Sequence, residues 1–460
     1  MQLIVTELVG QAGSLPYSYM NNPAPPLTGE EFARSFAEIH PPFERRAEVV
    51  EANRCLYCFD APCAGACPTH IDVPRFIKKI ASGNLRGSAQ AILDANVLAL
   101  SCSRVCPVDV LCEGSCVMNK YNQQPIEIGR LQRHAMDYFY AHDPALPVGA
   151  ETGRRVACVG AGPASLACAA ELRRHGVAVT IFDSRPLPGG LNTYGIAEYK
   201  LRPADSLKEV DLVRGMGVRF ETGVEVGTAL PIEKLEQECD AVFIGVGLGP
   251  TQTLGVPSEN LAGVVDALRF IADYKTGTAK VGARVIVVGA GNTAIDAATA
   301  SVRLKAKTVS ILYRRSDGEM PAFRYEYELA KQDGIEFLWL TQPVAIHGNG
   351  AVESVECVRM ELGSRDPSGR RFPQPIPGSN FRLPADMVIT SLGQSRLLAF
   401  LEQCRGVKLQ NQCVAIAQET GQTANPKYFA GGDCVSGGRE VVDAAADGKR
   451  AARGILQSLS

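Results

Sequence analysis

Cysteine placement is the strongest constraint on this chain, because eight of its fifteen cysteines are crowded into two short runs near the N-terminus. The runs are Cys55-x2-Cys58-x4-Cys63-x3-Cys67-Pro and Cys102-x3-Cys106-Pro-x5-Cys112-x3-Cys116. Thiolates are soft, strong donors to iron, and spacings of two to four residues let successive sulfurs face one cluster. The pattern therefore predicts iron-sulfur clusters, with eight candidate ligands.

Two other uses of clustered cysteines fit less well. Disulfides suit small secreted domains, whereas this chain is large and has no apolar signal segment at Met1, so we expect a reducing, cytoplasmic location. Structural zinc also uses Cys-x2-Cys, but the Cys-Pro pairs and the lack of histidine at ligand spacing favour iron-sulfur ligation. The other seven cysteines are scattered singly and are interpreted as small buried hydrophobic residues: Cys158, Cys168, Cys239, Cys357, Cys404, Cys413 and Cys434.

Length and charge narrow the classes of function. A chain of 460 residues is too long for one core and suggests about three domains. The formal net charge of −2 gives no indication of nucleic-acid or anionic-membrane binding. No run approaches the roughly 18 apolar residues of a membrane-spanning helix, so a soluble protein is expected.

Residues 1–150 are predicted to form a helical domain with two 4Fe-4S clusters. Thr28 and Glu31 have the order of a capping box, which predicts a helix start. Segments 73–80 and 89–98 carry apolar residues at helical spacing, and no alternating strand pattern intervenes. Positions 143–149 are proline-rich and are expected to form a linker.

A dinucleotide-binding pattern begins directly after this linker. The apolar strand 155–159 is followed by Gly160 and Gly162, which permit a tight turn and a close approach of backbone amides to a pyrophosphate. The next strand ends in Asp183, about 20 residues later, where a carboxylate can accept a hydrogen bond from a ribose hydroxyl. An ordinary strand-turn-helix unit without a ligand is the alternative.

A second copy of the pattern starts at residue 284, with Gly289 and Gly291 in the turn. Its second strand ends in Arg314 and Arg315, which could bind a 2′-phosphate and would favour NADPH. Alternatively, the two arginines are solvated, and the helix dipole with one arginine would also serve NADH. Near the C-terminus, Gly432 and Asp433 follow a buried strand, where an acid suits the ribityl hydroxyls of a flavin, although a turn before a helix would look the same.

With both glycine-rich turns and Asp433, residues 151–460 resemble the two-dinucleotide flavoprotein fold of glutathione-reductase-like enzymes. The resemblance implies an α/β flavoprotein in which an NAD(P) domain, 255–393, is inserted in an FAD domain formed by 151–254 and 394–460. The cysteine runs resemble those of glutamate synthase small subunits and of the N-terminal half of dihydropyrimidine dehydrogenase. Several stretches, including 55–63, 67–74, 125–132 and 189–196, look closest to the pyrimidine enzymes. The chain is thus identified as a member of the flavin-bearing, electron-input subunits of NAD-dependent dihydropyrimidine dehydrogenases.

The resemblance also implies the cluster ligands. The first cluster would be bound by Cys55, Cys58, Cys63 and Cys116. The second would be bound by Cys67, Cys106, Cys112 and, in place of an eighth cysteine, by Gln132, which leaves Cys102 without a ligand role. A neutral amide replacing a thiolate makes the site one charge more positive and should raise its potential.

Nucleotide contacts carry over in the same way. For FAD the resemblance implies Val105, Gly162, Pro163, Ala164, Asp183, Gly190, Leu191, Lys200, Val226, Gly432 and Asp433, which join Gly160 of the glycine turn. For the nicotinamide cofactor it implies Ala290, Gly291, Asn292, Thr293, Arg314, Arg315, Ser391, Leu392 and Gly393, which join Gly289 of the second glycine turn. Asp183 and Lys200 depart from the glutamate and arginine of the family. Pro321 stands where NADPH-using relatives have a phosphate-binding arginine, which favours NADH and leaves NADPH possible.

These carriers predict an electron path from NADH through FAD and two 4Fe-4S clusters to a partner, because a flavin is needed between a hydride donor and one-electron acceptors. No catalytic acid, base or nucleophile is predicted. The two nucleotide folds leave no room for the roughly 250-residue barrel that holds FMN and pyrimidine in the fused enzymes. We therefore expect a separate FMN-containing subunit that reduces uracil or thymine, and a hetero-oligomer. The alternatives are an NADPH-dependent glutamate synthase small subunit and a stand-alone ferredoxin or NAD(P) oxidoreductase.

Overall fold

The computed structural model describes residues 27–44, 46–142, 144–365, 369 and 371–460. These residues divide into two units. The cysteine-rich unit comprises residues 38–193, 200–248 and 396–460, and the inserted unit comprises residues 27–37, 194–199 and 249–395. Position 143 of the expected linker lies outside the described residues, and 144–149 contains no helix or strand.

The α-helices, in chain order, are α1 Gly29–Ser35, α2 Ala47–Asn53, α3 Pro62–Gly65, α4 Val73–Ala81, α5 Leu85–Ala95, α6 Ala99–Val105, α7 Ile128–Ala141, α8 Pro163–Arg174, α9 Leu191–Tyr194, α10 Pro203–Gly215, α11 Ile232–Glu238, α12 Ala267–Lys275, α13 Asn292–Arg303, α14 Arg324–Gln332, α15 Leu398–Leu401, α16 Asp433–Ser436 and α17 Val441–Leu459. Two 3-10 helices cover Val117–Tyr121 and Asp317–Glu319.

The strands are β1 Arg155–Val159, β2 Ala178–Asp183, β3 Arg219–Thr222, β4 Ala241–Ile244, β5 Val264–Asp266, β6 Arg284–Val288, β7 Thr308–Tyr313, β8 Glu336–Trp339, β9 Thr341–His347, β10 Ser354–Arg365, β11 Arg371–Pro375, β12 Phe381–Pro384, β13 Met387–Thr390, β14 Leu409–Gln410, β15 Cys413–Val414 and β16 Tyr428–Ala430.

The N-terminal part of the cysteine-rich unit is helical, and its helices begin at short polar side chains. Asp72 accepts a hydrogen bond from Arg75 N at the start of α4, and Asn84 accepts one from Gly87 N at the start of α5. The capping box predicted for Thr28 and Glu31 is present at α1, in the inserted unit. The helix expected over 89–98 begins earlier, at Leu85, and ends at Ala95, because Asn96 adopts an extended conformation.

The rest of the cysteine-rich unit contains a five-stranded parallel sheet in the order β16-β4-β1-β2-β3. One hydrophobic core runs through the unit and includes Phe76 and Leu98 from the helical part, Phe243 from β4 and Ile455 from α17. Polar contacts add to it, since Arg174 Nη2 donates to Leu93 O at 2.8 Å and Lys449 Nζ donates to Ala95 O at 3.1 Å. The helical region and the first nucleotide fold are therefore packed as one body.

The inserted unit contains a second five-stranded parallel sheet, in the order β5-β13-β6-β7-β8. An antiparallel layer joins it, in which β10 pairs with β9, β11 and β12. Since β16 pairs with β4 across this insertion, the predicted fold class is confirmed: a helical region followed by two nucleotide folds, one inserted in the other. None of the described helices is long and apolar enough to cross a membrane.

Candidate iron-sulfur and nucleotide sites

The structure brings four of the predicted ligands around one cavity. Cys55, Cys58, Cys63 and Cys116 line it together with apolar side chains such as Val73, Ile77 and Ile126. Tyr57 has a φ of 51°, which lets the chain turn back between the first two cysteines. Burial, with the neighbouring thiols Cys116 and Cys55, raises the pKa of Cys63 to about 11.

A cavity with four soft donors and an apolar wall fits an iron-sulfur cluster, because a cationic metal converts buried thiols to thiolates. In the part of the chain that the structure describes, there is no group of three or more His, Cys, Asp or Glu side chains arranged to hold a single metal ion.

The second set of predicted ligands lies where α6, α7 and the loop after α3 approach one another. Cys106 is half-buried, and a hydrogen bond with Cys102, followed by burial and the neighbouring thiols of Cys102, Cys112 and Cys67, keeps its pKa well above the usual value. Gln132, on α7, donates from Nε2 to Ala99 O of α6 at 2.9 Å. Cys102, which we expected to have no ligand role, accepts a hydrogen bond from Asn96 Nδ2 at 3.3 Å. The structure thus brings Cys102 together with the predicted ligands, and Gln132 as the eighth ligand stays a prediction.

The first glycine turn joins β1 to α8. Gly160 has a φ of 92°, and a Cβ at this position would lie 2.5 Å from Gly245 O, so a side chain is excluded. Gly162 precedes α8, and a Cβ there would meet nothing within 4 Å, which leaves the helix N-terminus open toward a phosphate. Asp183 accepts a hydrogen bond from Ala161 N at 2.6 Å and another from Arg185 N at 2.8 Å. The carboxylate therefore also fixes the glycine turn.

Several other predicted FAD residues gather at the N-terminus of α8, which begins with Pro163 and Ala164. A Cβ on Gly190 would lie 2.8 Å from Gly162 Cα, and one on Gly432 would lie 3.1 Å from Ala164 Cβ. Asp433 follows Gly432 directly and accepts a hydrogen bond from Arg439 N at 3.0 Å, while burial raises the pKa of its carboxyl.

The remaining predicted FAD residues are more dispersed. Val105 is the last residue of α6, and Leu191 is the first of α9. Lys200 is buried, and its charge helps to lower the pKa of His40, which burial lowers most. Val226 lies in a hydrophobic cluster with Val159 and Ile244.

The second glycine turn joins β6 to α13 in the inserted unit. Gly289 has a φ of 123°, and a Cβ there would lie 2.2 Å from Ser391 O. Gly291 precedes α13, and Asn292 Oδ1 accepts a hydrogen bond from Phe323 N at 3.0 Å. The turn therefore packs against the chain after β13, where Ser391, Leu392 and Gly393 were predicted to contact the cofactor.

The two arginines after β7 are in different surroundings. Arg314 is exposed, whereas Arg315 is buried and donates from Nε to Arg371 O at 2.9 Å. Of the pair, Arg314 is the one available to a cofactor.

Sequence reasoning missed two buried acids on α10, Asp205 and Glu209. Glu209 accepts hydrogen bonds from the backbone and hydroxyl of Ser101 on α6. An acid in an amphipathic helix is usually solvated, so no signal in the sequence separated these residues from the exposed Asp211.

Comparison with known proteins gives the family. The family model described as pyridine nucleotide-disulphide oxidoreductase matches residues 154–448, and the model described as dihydropyrimidine dehydrogenase domain II, 4Fe-4S cluster, matches residues 32–144. Glutamate synthase [NADPH] small chain of Halomonas elongata is 37% identical over 447 residues, covering 93% of this chain and 94% of the relative. The Escherichia coli protein of the same name is 38% identical over 445 residues, covering 92% and 94%.

Among solved structures, Mycobacterium tuberculosis FprA in complex with NADPH has a TM-score of 0.55 at 23% identity, covering 68% of this chain and 85% of that one. At this identity the likeness concerns the fold alone.

The identification as an electron-input subunit of dihydropyrimidine dehydrogenase is wrong, since relatives matching nearly end to end are glutamate synthase small chains. Each of the stretches that suggested the pyrimidine enzymes contains predicted cofactor contacts, such as Cys55, Cys67, Gln132 and Gly190. Residues that contact a cofactor carry no information about the final electron acceptor. The chain belongs to the pyridine nucleotide-disulphide oxidoreductases and, within them, to the iron-sulfur flavoprotein subunits that include the small chains of glutamate synthase.

Proposed function

We propose that this chain is the electron-input subunit of a glutamate synthase, which takes electrons from a reduced nicotinamide and passes them to a larger partner chain. The observation that carries the proposal is the similarity to glutamate synthase small chains over more than nine-tenths of both sequences. The cavity lined by Cys55, Cys58, Cys63 and Cys116, in the same unit as the first nucleotide fold, supports it.

The cysteine-rich unit would hold FAD and two 4Fe-4S clusters. FAD exchanges electron pairs with a nicotinamide and single electrons with a cluster. The N-terminus of α8 would offer backbone amides to the FAD pyrophosphate, and Gly162, which has no side chain and faces open space, keeps that approach free. Helix α6 would link the cofactors, because it ends in Val105, a predicted flavin contact, and is followed by Cys106, a predicted cluster ligand.

The inserted unit would bind the nicotinamide cofactor at the N-terminus of α13. Exposed Arg314 favours NADPH, in agreement with the names of the relatives. Pro321, in place of a second phosphate-binding arginine, favours NADH. We propose NADPH as the physiological donor, with NADH oxidation as the competing outcome of the test.

The experiment is to purify the chain together with a glutamate synthase large chain and to follow NADPH and NADH oxidation separately. Oxidation of NADPH that requires both glutamine and 2-oxoglutarate and yields glutamate is the expected result. Flavin and iron contents are measured on the same sample. Bound cofactors with no turnover on glutamine and 2-oxoglutarate would refute the glutamate synthase role, and faster turnover with NADH would refute the donor.

A further inference from the structure

Two buried polar contacts bind α6 to α10 within the cysteine-rich unit. Ser101 donates to Glu209 from its backbone N, at 2.9 Å, and from its hydroxyl. Arg104, one turn along α6, forms an ion pair with Asp205, one turn away from Glu209 on α10, with 3.8 Å between Nε and Oδ2. A carboxyl group of α10 is thereby held against α6.

Helix α6 brings this carboxyl close to the proposed electron path. Ser101 is four residues from Val105, which corresponds to a rise of about 6 Å along a helix. Val105 is a predicted flavin contact, and Cys106, the next residue, is a predicted cluster ligand. A change of charge on either cofactor therefore changes the electrostatic potential at the Glu209 carboxyl, because the path between them is short and buried and electrostatic screening along it is weak.

The surroundings of Glu209 set its protonation near neutrality. The pKa of Glu209 is raised to about 7 because the effect of burial exceeds two opposing effects. The hydrogen bonds from Ser101 and the charge of Arg104 both lower this pKa. From α7, the hydroxyl of Tyr140 is buried with no hydrogen-bond partner among the described residues, and its pKa is raised by burial and by the charge of Glu209.

Other charged groups on the packed helices are engaged elsewhere. Asp205 is paired with Lys208 and Arg202, and Arg104 also binds Asp137. On α8, Arg173 pairs with Glu151 and Glu171 pairs with Arg453, while Lys449 of α17 donates to Asp94 O and Ala95 O. Arg104 is thus the charged group that acts on Glu209, and Tyr140 is a neutral titratable group near it.

We propose that Glu209 binds one proton when an electron reaches the cofactors at the end of α6 and releases it when the electron leaves. The inference rests on the proposed electron-input function. The electron comes from the nicotinamide, whose oxidation by one-electron carriers releases two electrons and one proton, and the O–H bond forms at the Glu209 carboxylate with a proton from solvent. The added negative charge of reduction favours the neutral acid, which keeps the buried charge balanced.

The test is a redox titration of the complete protein, monitored by EPR and flavin absorbance, from pH 6 to pH 8.5. In the parent protein, the midpoint potential of a cofactor should fall as the pH rises through about 7. The fall should be at most 59 mV per pH unit, which corresponds to a tenfold change in the one-electron reduction equilibrium. The side chain in Glu209→Gln is neutral at every pH. The midpoint potential of this variant should therefore equal the value that the parent protein has at low pH, and it should not change with pH. Glu171→Gln, which removes another buried carboxylate, should retain the parent's profile.

A pH-independent potential in the parent, or a Glu209→Gln profile identical to the parent's, would overturn the proposal. If Glu209→Gln does not bind cofactors, Ser101→Ala replaces it in the test. Loss of one hydrogen-bond donor to Glu209 should move the pH at which the potential begins to fall to a higher value. If that pH does not move, the result contradicts a role for Glu209. Redox-difference infrared spectra of the parent provide a second measurement, because a carboxylic acid band should appear on reduction. Failure of the proposed function is distinct, since NADPH would then leave bound flavin and clusters oxidised.

Discussion

Gly448 offers a sharp test of how the flavin fold is held together. It lies in α17, and a Cβ at this position would come within 2.0 Å of Ala164 O, 2.9 Å of Ala164 C and 3.0 Å of Cys168 N. All three atoms belong to the backbone of α8, so no side-chain rotation relieves the overlap. Ordinary contact begins at 3.4 Å, which means that Gly448→Ala requires the two helices to separate by about 1.4 Å.

Overpacking of this kind costs about 1–3 kcal/mol, and we expect the upper end because two helix backbones must move. A loss of about 3 kcal/mol corresponds to a fall in Tm of roughly 6–12 °C for a domain of this size. Ala164 stands in the first turn of α8, at the predicted flavin pyrophosphate site, so the bound flavin per chain should fall as well.

Thermal unfolding followed by circular dichroism, together with the ratio of flavin to protein absorbance, measures both effects. Gly215→Ala is the matched control, since this helical glycine is exposed and a Cβ would meet nothing within 4 Å. It should leave flavin content unchanged and stability equal or about 0.5–1 kcal/mol higher. An unchanged Tm and full flavin content in Gly448→Ala would refute the close packing of α17 on α8.

Three further predictions concern the clusters, the nicotinamide and pH. Cys116→Ser should lose about half of the iron, because one of two clusters loses a ligand, whereas Cys239→Ser should lose none by colorimetric iron assay. Arg314→Ala should raise KM for NADPH between roughly tenfold and a hundredfold and leave KM for NADH unchanged; an equal effect on both would exclude a 2′-phosphate contact. The pKa of Glu209 is raised from 4.5 to about 7 on folding, so the native state binds more protons between these values. The free energy of unfolding should therefore fall by roughly 3 kcal/mol as pH rises through this window, and a Glu209→Gln urea-unfolding series should lack that part of the fall.

Local chemistry made much of the fold predictable. Positive φ values at Gly160 and Gly289, each followed by a helix, agree with the turns expected from the two glycine patterns. These turns follow from constraints within a few residues, which a sequence displays directly. The grouping of Cys116 with Cys55, Cys58 and Cys63, which line one cavity, came instead from the family resemblance.

What the sequence did not reveal depends on contacts between distant segments. Arg315 points inward because its Nε reaches Arg371 O, a bond between residues 56 positions apart. Glu209 is buried because Ser101, 108 positions away, packs on it. The prediction of a pyrimidine-reducing partner was wrong for a related reason, because the residues that suggested it are predicted cofactor contacts, which do not depend on the final electron acceptor.

The pairing of β16 with β4 has a consequence for how the protein is made. The strand and helix that complete the first sheet, β16 and α17, are synthesised after the whole of the inserted unit. When β1 to β4 have left the ribosome, β4 therefore still lacks its partner strand β16, and Ala164 of α8 is not yet covered by Gly448 of α17. We expect flavin capture to be a late event in biosynthesis, and nascent chains ending before residue 428 to depend on chaperones that shield this edge.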